Sequence, residues 1–390
     1  IRGDRRGENG TAYGLRMWTN DDIVPRPDDT FQERLYCVRW VETYTDADGT
    51  EKTRKHYRSV TDADREREAT VLRLLDERFE AWQEKGYVPS RRIEPGYNTD
   101  QPIRERGWTH WHHLFNPRQL LVHGALLEAT EKRIGDDQPS KVGVLLGVGR
   151  CADWDSKLAR WDRSYANEKV AQTFSNQALN TLFNYALRPL SVLESTWQLE
   201  FPAYEVSGKS HVKAADARKV RTEAEFWLTD PPYADAINYH ELSEFFLAWY
   251  EKPLQRLFPE WYTDSKRALA ITGDAEGFRR DMVASYRTLA EHMPEDGVQI
   301  VMFTHQDASV WADLALIMWA AGLRVTAAWT IATETGSALK KGNYVQGTVL
   351  LILRKRTSDA TAFTDQLKVQ IEDEVTAQLD AMLHLDEDED

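Results

Sequence analysis

The chain has 390 residues, 42% hydrophobic and 29% charged, an ordinary balance for one large domain or two smaller ones. No apolar run reaches the roughly 18 residues of a membrane helix, no signal peptide is read at its start, and two cysteines, Cys37 and Cys151, exclude a disulfide framework or a cysteine zinc ribbon within it. The net charge of −14 argues against a nucleic-acid binder, but nine acids and no Lys or Arg fall in Ile371–Asp390, so the body is only mildly acidic. A cytoplasmic protein without a membrane partner is expected.

Ile1–Gly10 is charged and glycine-bearing like a linker, and Ile1 is not an initiator methionine, so the beginning reads as truncated. Leu35–Val41 and His56–Val60 have strand character, with turn chemistry at Asp46-Ala47-Asp48-Gly49 between them, which predicts a β-hairpin with a charged tip. Thr61 with Asp64 resembles a capping box. A helix then runs to Lys85, with Val71, Leu72, Leu74, Leu75, Phe79 and Trp82 on one face and Gly86 as its stop.

Val88–Gly107 lacks periodicity and reads as loop. Asn116 or Pro117 opens a helix carrying Leu120, Leu121, Val122, Leu126 and Leu127. Lys141–Trp161 has two readings: a strand entering a glycine turn at Gly147-Val148-Gly149, or a glycine-tolerant buried helix. Asn167–Tyr185 reads as helix.

From Val212 strands and helices alternate. Glu225–Thr229 is a short strand before Asp230, Asn238–Tyr250 an aromatic helix and Gly277–His292 an amphipathic one. Val298–Thr304 is a strand and Ala308–Ala321 a helix stopped by Gly322. Leu323–Thr333 and Gly347–Leu353 are strands around a loop, and a last helix runs from Asp365 to Leu385. Most of the 14 tryptophans are expected in the core. The basic stretches Lys52–His56, Arg91-Arg92, Lys340-Lys341 and Arg354–Arg356 are either solvated faces or the lining of a duplex groove.

One tetrapeptide carries chemistry. Asp230 ends the strand, and strand carboxyl ends are where open α/β sheets bind ligands. Pro231 and Pro232 fix a rigid turn without N–H donors, leaving carbonyl oxygens free to accept. Tyr233 offers a flat amphipathic ring. This set suits methylation of an exocyclic aromatic amine, whose lone pair is delocalised into the ring. A carboxylate and a backbone carbonyl accepting the two amine hydrogens favour a pyramidal nitrogen, so positioning contributes much of the rate. A base in a duplex must be flipped out to be reached. His110, His112 and His113 cluster, but no partner at metal-ligand spacing accompanies them, so no metal site is expected.

Thr229–Tyr233 followed by Asn238-Tyr239-His240-Glu241-Leu242-Ser243-Glu244-Phe245-Phe246 and Trp249 resembles the large adenine-specific DNA methylases of bacterial and archaeal defence loci. Trp111–Leu121 and Cys151–Trp161 resemble the same family, and the hairpin Arg34–Val60 does so loosely. The resemblance implies an α/β fold with the Rossmann-like sheet of a class I S-adenosylmethionine-dependent methyltransferase, preceded by a hairpin-and-helix insertion. It implies an accessory region at 1–107, a catalytic region at 108–357 and a C-terminal helix with acidic tail at 358–390.

By the same resemblance Asp230, Pro231, Pro232 and Tyr233 hold the target amine and base. Phe115, Asn116, Pro117 and Arg118 meet the methionine part of S-adenosylmethionine, and Asp216 approaches its adenine. Tyr239 and the loop residues Lys340 and Lys341 are expected to bind substrate. The family's glycine-rich cofactor turn has no clear counterpart; Leu146–Gly149 is a weak candidate. Cofactor binding then needs an upstream part of the protein or another polypeptide. Expected partners are DNA and other defence-system subunits. Two alternatives stay open: an RNA or protein amide methyltransferase, and a methyltransferase-like DNA-binding scaffold without a complete cofactor site.

Overall fold

A computed structural model of the chain describes residues 2–7, 10–15, 35–162, 169–175, 178–180, 204, 207–232, 237–271, 275–332, 347–358 and 363–387. They belong to two compact units, one formed by 1–215 and 235–270, the other by 216–234 and 271–390.

The first unit begins with the antiparallel pair β1 (Arg2–Gly7) and β2 (Gly10–Leu15). The expected hairpin follows as β3 (Cys37–Thr45) and β4 (Glu51–Ser59), with Trp40 opposite His56. Its strands run further toward the tip than the apolar pattern suggested. The turn is closed by the Asp46 carboxylate, which accepts from the N–H groups of Asp48 and Thr50, and by Gly49 at φ 83°.

Thr61 and Asp64 make the expected capping box on α1 (Asp62–Asp76). The helix foreseen to Lys85 breaks after Asp76 and resumes as α2 (Phe79–Lys85), which ends at Gly86 with φ 80°. The break turns Trp82 into the core, 3% exposed, while Leu72, expected on the buried face, is 54% exposed. The supposed loop contains a helix, α3 (Asp100–Arg106). Seven residues with Pro102 in the first turn are too few to display an apolar period.

Asn116 caps α4 (Pro117–Ile134), reciprocally with Gln119, and Pro117 is its first residue. The ambiguous glycine segment is helical: α5 (Gln138–Trp154) contains Gly143, Gly147 and Gly149. A Cβ on Gly149 would lie 1.6 Å from the Tyr250 hydroxyl, so that glycine serves close packing of α5 and the reading as a cofactor turn is set aside. The helix expected at 167–185 is also corrected. Trp161–Asp162 pairs with Lys169–Val170 (β5, β6) and Phe174–Ser175 with Ala178–Leu179 (β7, β8), while 167–168, 176–177 and 181–185 lie outside the described residues. There the Thr173 N–H donates to the Asp153 carbonyl at 2.6 Å, so this backbone is tied to the end of α5 as well as to its own hairpin.

Later in the chain come β9 (Phe226–Thr229) of the second unit, then α6 (Tyr239–Leu242) and α7 (Glu244–Leu257), which complete the first. The first unit's core joins α1 and α2 to α4, α5 and α7 through Leu75, Trp82, Trp111, Phe115, Phe245 and Trp249. Phe115 stacks on Phe245 at 5.5 Å and meets Trp249 edge-on at 5.1 Å.

The second unit continues with α8 (Ala275–Glu291), β10 (Val298–Phe303), α9 (Ala308–Ala320), β11 (Leu323–Ile331), β12 (Thr348–Lys355) and α10 (Thr364–Glu387). Its mixed sheet has the order β11-β12-β10-β9. β9 and β10 are parallel, and β12 is antiparallel to both of its neighbours. Gly322 stops α9 with φ 83°. One sheet face carries Trp227, Val301, Phe303 and Leu353 into a core with Met282, Tyr286, Leu314 and Met318 of α8 and α9. The alternate positions Phe226, Leu228 and Trp329 are 66%, 67% and 62% exposed. Among the described residues no helix is long and apolar enough to cross a membrane.

Candidate functional site

Asp230 follows the last residue of β9, at the carboxyl end of the parallel pair β9–β10, and is exposed. Pro231 behind it is buried and Pro232 exposed; Tyr233 lies outside the described residues. The strand end is anchored from below. Thr229 Oγ1 and Tyr286 Oη are 3.0 Å apart. Burial pushes the Tyr286 phenol up to about 12, and the Asp230 charge adds to that. Tyr286 therefore stays protonated as a fixed dipole beside the carboxylate. Next along the carboxyl edge, Thr304 Oγ1 donates to the Gly347 carbonyl at 3.1 Å, and the His305 carbonyl accepts from Trp311 Nε1 at 2.9 Å. The arrangement is an exposed carboxylate at a strand end, backed by one buried proline.

Asp216, in the same unit, caps a short turn. Its carboxylate accepts from Arg218 N, Nε and Nη2 at 2.9, 2.9 and 3.0 Å. The Arg218 guanidinium holds that carboxyl below its usual range, and Arg218 also donates to Asp281 at 2.5 Å. Asp216 thus already has charged partners within the fold.

Phe115, Asn116, Pro117 and Arg118 lie in the other unit. Phe115 is 2% exposed and belongs to the core. The Asn116 side chain accepts from Gln119 N at 2.7 Å. Arg118 donates through Nε to Glu68 at 2.9 Å, and through Nη2 to the same oxygen. An open depression beside Arg118 is lined by Ala63, Glu66, Arg67, Thr70 and Val71. The first turn of α4 retains the positive dipole end that suits a carboxylate. The side chains expected to meet the cofactor, by contrast, are engaged within the fold, so the fit to S-adenosylmethionine is partial.

Tyr239 is 58% exposed on α6. Around it the second motif is a structural clamp. Glu241 accepts from the N–H groups of Tyr97 and Asn98 at 3.1 and 2.7 Å. Glu244, fully buried, receives Arg267 Nε at 2.9 Å and Nη2 at 3.2 Å. Arg267 further donates to the carbonyls of Pro95 and Glu94 at 2.8 and 3.0 Å. Nothing in the local pattern of Ser265–Ala268 announced that node; a lone arginine among turn residues has no signature spacing. Lys340 and Lys341 lie outside the described residues.

The histidine cluster is a set of largely edge-on ring contacts. His112 and His113 ring centroids are 4.4 Å apart, and His112 Nδ1 donates to the Pro89 carbonyl at 3.0 Å. Burial, then the neighbouring His113 and His110, push His112 down to about 4. Among the described residues no group of three or more metal-ligating side chains is present.

No family model, curated protein or solved structure matches the chain.

Proposed function

We propose that the chain is the catalytic half of an S-adenosylmethionine-dependent DNA amino-methyltransferase acting on adenine N6 in a flipped-out base, within a phage-defence or restriction-modification system. The observation that carries this is Asp230-Pro231-Pro232 at the carboxyl end of a parallel strand in the sheet β9-β10-β12-β11, whose one antiparallel strand lies between its neighbours. That order supports the second half of a class I methyltransferase sheet, in which a final antiparallel strand inserts beside the fifth.

When bound, S-adenosylmethionine supplies a sulfonium methyl as electrophile. The chain's own residues do the positioning. The Asp230 carboxylate accepts one amine hydrogen, and a carbonyl of the proline turn accepts the other. Both aim the nitrogen lone pair outward, and neither reorganises, because the prolines are rigid and Thr229 is anchored. Adenine is preferred over cytosine N4 on the motif resemblance alone; the same geometry serves both.

With every cofactor-binding segment supplied, Asp230→Ala is expected to lower transfer of tritiated methyl to DNA by about a hundred- to a thousandfold, the scale of losing one preorganised transition-state contact, with an unchanged melting temperature because Asp230 is exposed. Retained transfer would make the motif structural. Transfer to RNA or to a protein glutamine, with none to DNA, would replace the substrate. A second reading, a DNA-binding scaffold, is favoured by one observation: the local Gly-x-Gly is helical and packed against Tyr250. Failure to transfer methyl with every cofactor-binding segment supplied would establish it.

A further inference from the structure

Methyl transfer makes no use of the hairpin β3–β4, yet one of its faces has a regular chemistry. On β4 every same-face position from 52 to 58 is basic: Lys52, Arg54, His56 and Arg58. Opposite them on β3 stand Tyr44, Glu42, Trp40 and Val38. At about 3.3 Å per residue the basic row is about 20 Å long. Trp40 is 50% exposed, and the Arg54 guanidinium lies 4.8 Å over the Tyr44 ring. His56 meets Glu42 at 2.8 Å and Lys52 pairs with Asp46, while Arg58 is exposed.

The ribbon is held by its other face, where Arg39 stands 5.6 Å over the Trp161 ring. At its base β4 runs through Val60 into the capping box of α1, so its root is rigid. A two-stranded ribbon cannot build a core of its own. Here Trp40, Val41 and Tyr57 are each about half exposed. On this face each of Val38, Trp40 and Tyr44 stands opposite a basic side chain, so no broad apolar patch suits a protein partner. A basic row beside a strand that presents Tyr44 and Trp40, on a chain of net charge −14, selects a polyanion that also offers flat rings or sugars.

We propose that β3–β4 is a reading ribbon that lies in a groove of duplex DNA, with Lys52, Arg54 and Arg58 along one phosphate strand and Trp40 against sugar and base edges. The major groove, about 12 Å wide, admits a two-stranded ribbon. The proposal rests on the reading of the chain as a DNA enzyme. It assigns DNA engagement to a device outside the catalytic motif.

The test is fluorescence anisotropy of the full chain with a labelled duplex of about two helical turns, without methyl donor, between about 50 and 200 mM salt. The triple variant Lys52→Gln, Arg54→Gln, Arg58→Gln is expected to bind at least about tenfold more weakly and to flatten the slope of log Kd against log salt by about 3, close to one per lost phosphate contact. Trp40→Ala is expected to weaken binding with the slope retained. Circular dichroism checks that the exposed substitutions leave the fold intact. Unchanged affinity and slope in the triple variant overturn the ribbon, and so does tighter binding to the single strand than to the duplex. If wild type methylates DNA while the triple variant binds normally, the ribbon alone fails. If the ribbon binds duplex as stated but no methyl reaches DNA even with every cofactor-binding segment supplied, the enzyme reading alone fails.

Discussion

Asp230 is positioned from behind by a hydroxyl pair, and that pair gives a prediction at the scale of one atom. Tyr286→Phe removes the bond to Thr229 and keeps the ring in the core. It is expected to cost about 1 kcal/mol of stability and to lower methyl transfer several-fold through kcat, with KM for DNA unchanged. An unaltered kcat would reduce Tyr286 to packing. Asp230 was legible in the sequence because two prolines end an apolar strand there; Tyr286 was not, because 57 residues after Thr229 it reads as one more apolar position of an amphipathic helix. Titration acts at the same scale. His112, pushed from 6.5 to about 4, is buried neutral, so between those values the unfolded chain binds more protons than the folded one. Stability is then full above 6.5, falls as pH drops and levels off below about 4. Asp216 acts in a lower window, its contribution present above 3.8 and lost as pH falls further. His112→Asn, which keeps a donor for Pro89, is expected to make melting temperature fall less steeply as pH drops from 6.5 to 4, the remaining fall coming from His123, which burial also pushes down to about 4; an unchanged curve would refute the assignment.

At the scale of elements, the helices of the first unit meet through glycine. A Cβ on Gly124 would lie 2.4 Å from the Trp82 ring, itself only 3% exposed and without room to retreat. Gly124→Ala, although favourable to an isolated helix, is expected to destabilise the protein by about 1–3 kcal/mol through overpacking. A higher melting temperature would mean that Trp82 is not lodged against α4. That contact lodges α2, which begins anew at Phe79 after the break that the apolar period did not show, against α4. Elements with local signatures were readable, among them the Thr61 and Asn116 caps, the Gly86 and Gly322 stops and the strand before Asp230. Elements held by distant partners were not. The segment after Asn167 has helical composition, but its backbone is bound by Asp153.

For the whole molecule, the methyltransferase reading asks for a cofactor turn beside β9. Strands of a parallel sheet are normally covered on both faces and paired on both edges. Among the described residues β9 pairs only with β10, and its Phe226 and Leu228 stay about two-thirds exposed on the face opposite α8 and α9. An unpaired, apolar, parallel edge is a template for one further strand. In this reading the strand that adds there leads into the glycine turn, as the dinucleotide-binding folds build theirs. Two expectations follow together. The chain as it stands gives little or no calorimetric heat with S-adenosylmethionine. Supplying the polypeptide that carries the turn restores binding and slows hydrogen exchange at the Phe226–Thr229 amides, since pairing occupies that edge. Tight cofactor binding by this chain alone would place the site among residues already present. Restored binding without protection of β9 would mean that the turn docks away from the sheet edge, and the catalytic carboxylate would then owe its position to the Tyr286 anchor alone.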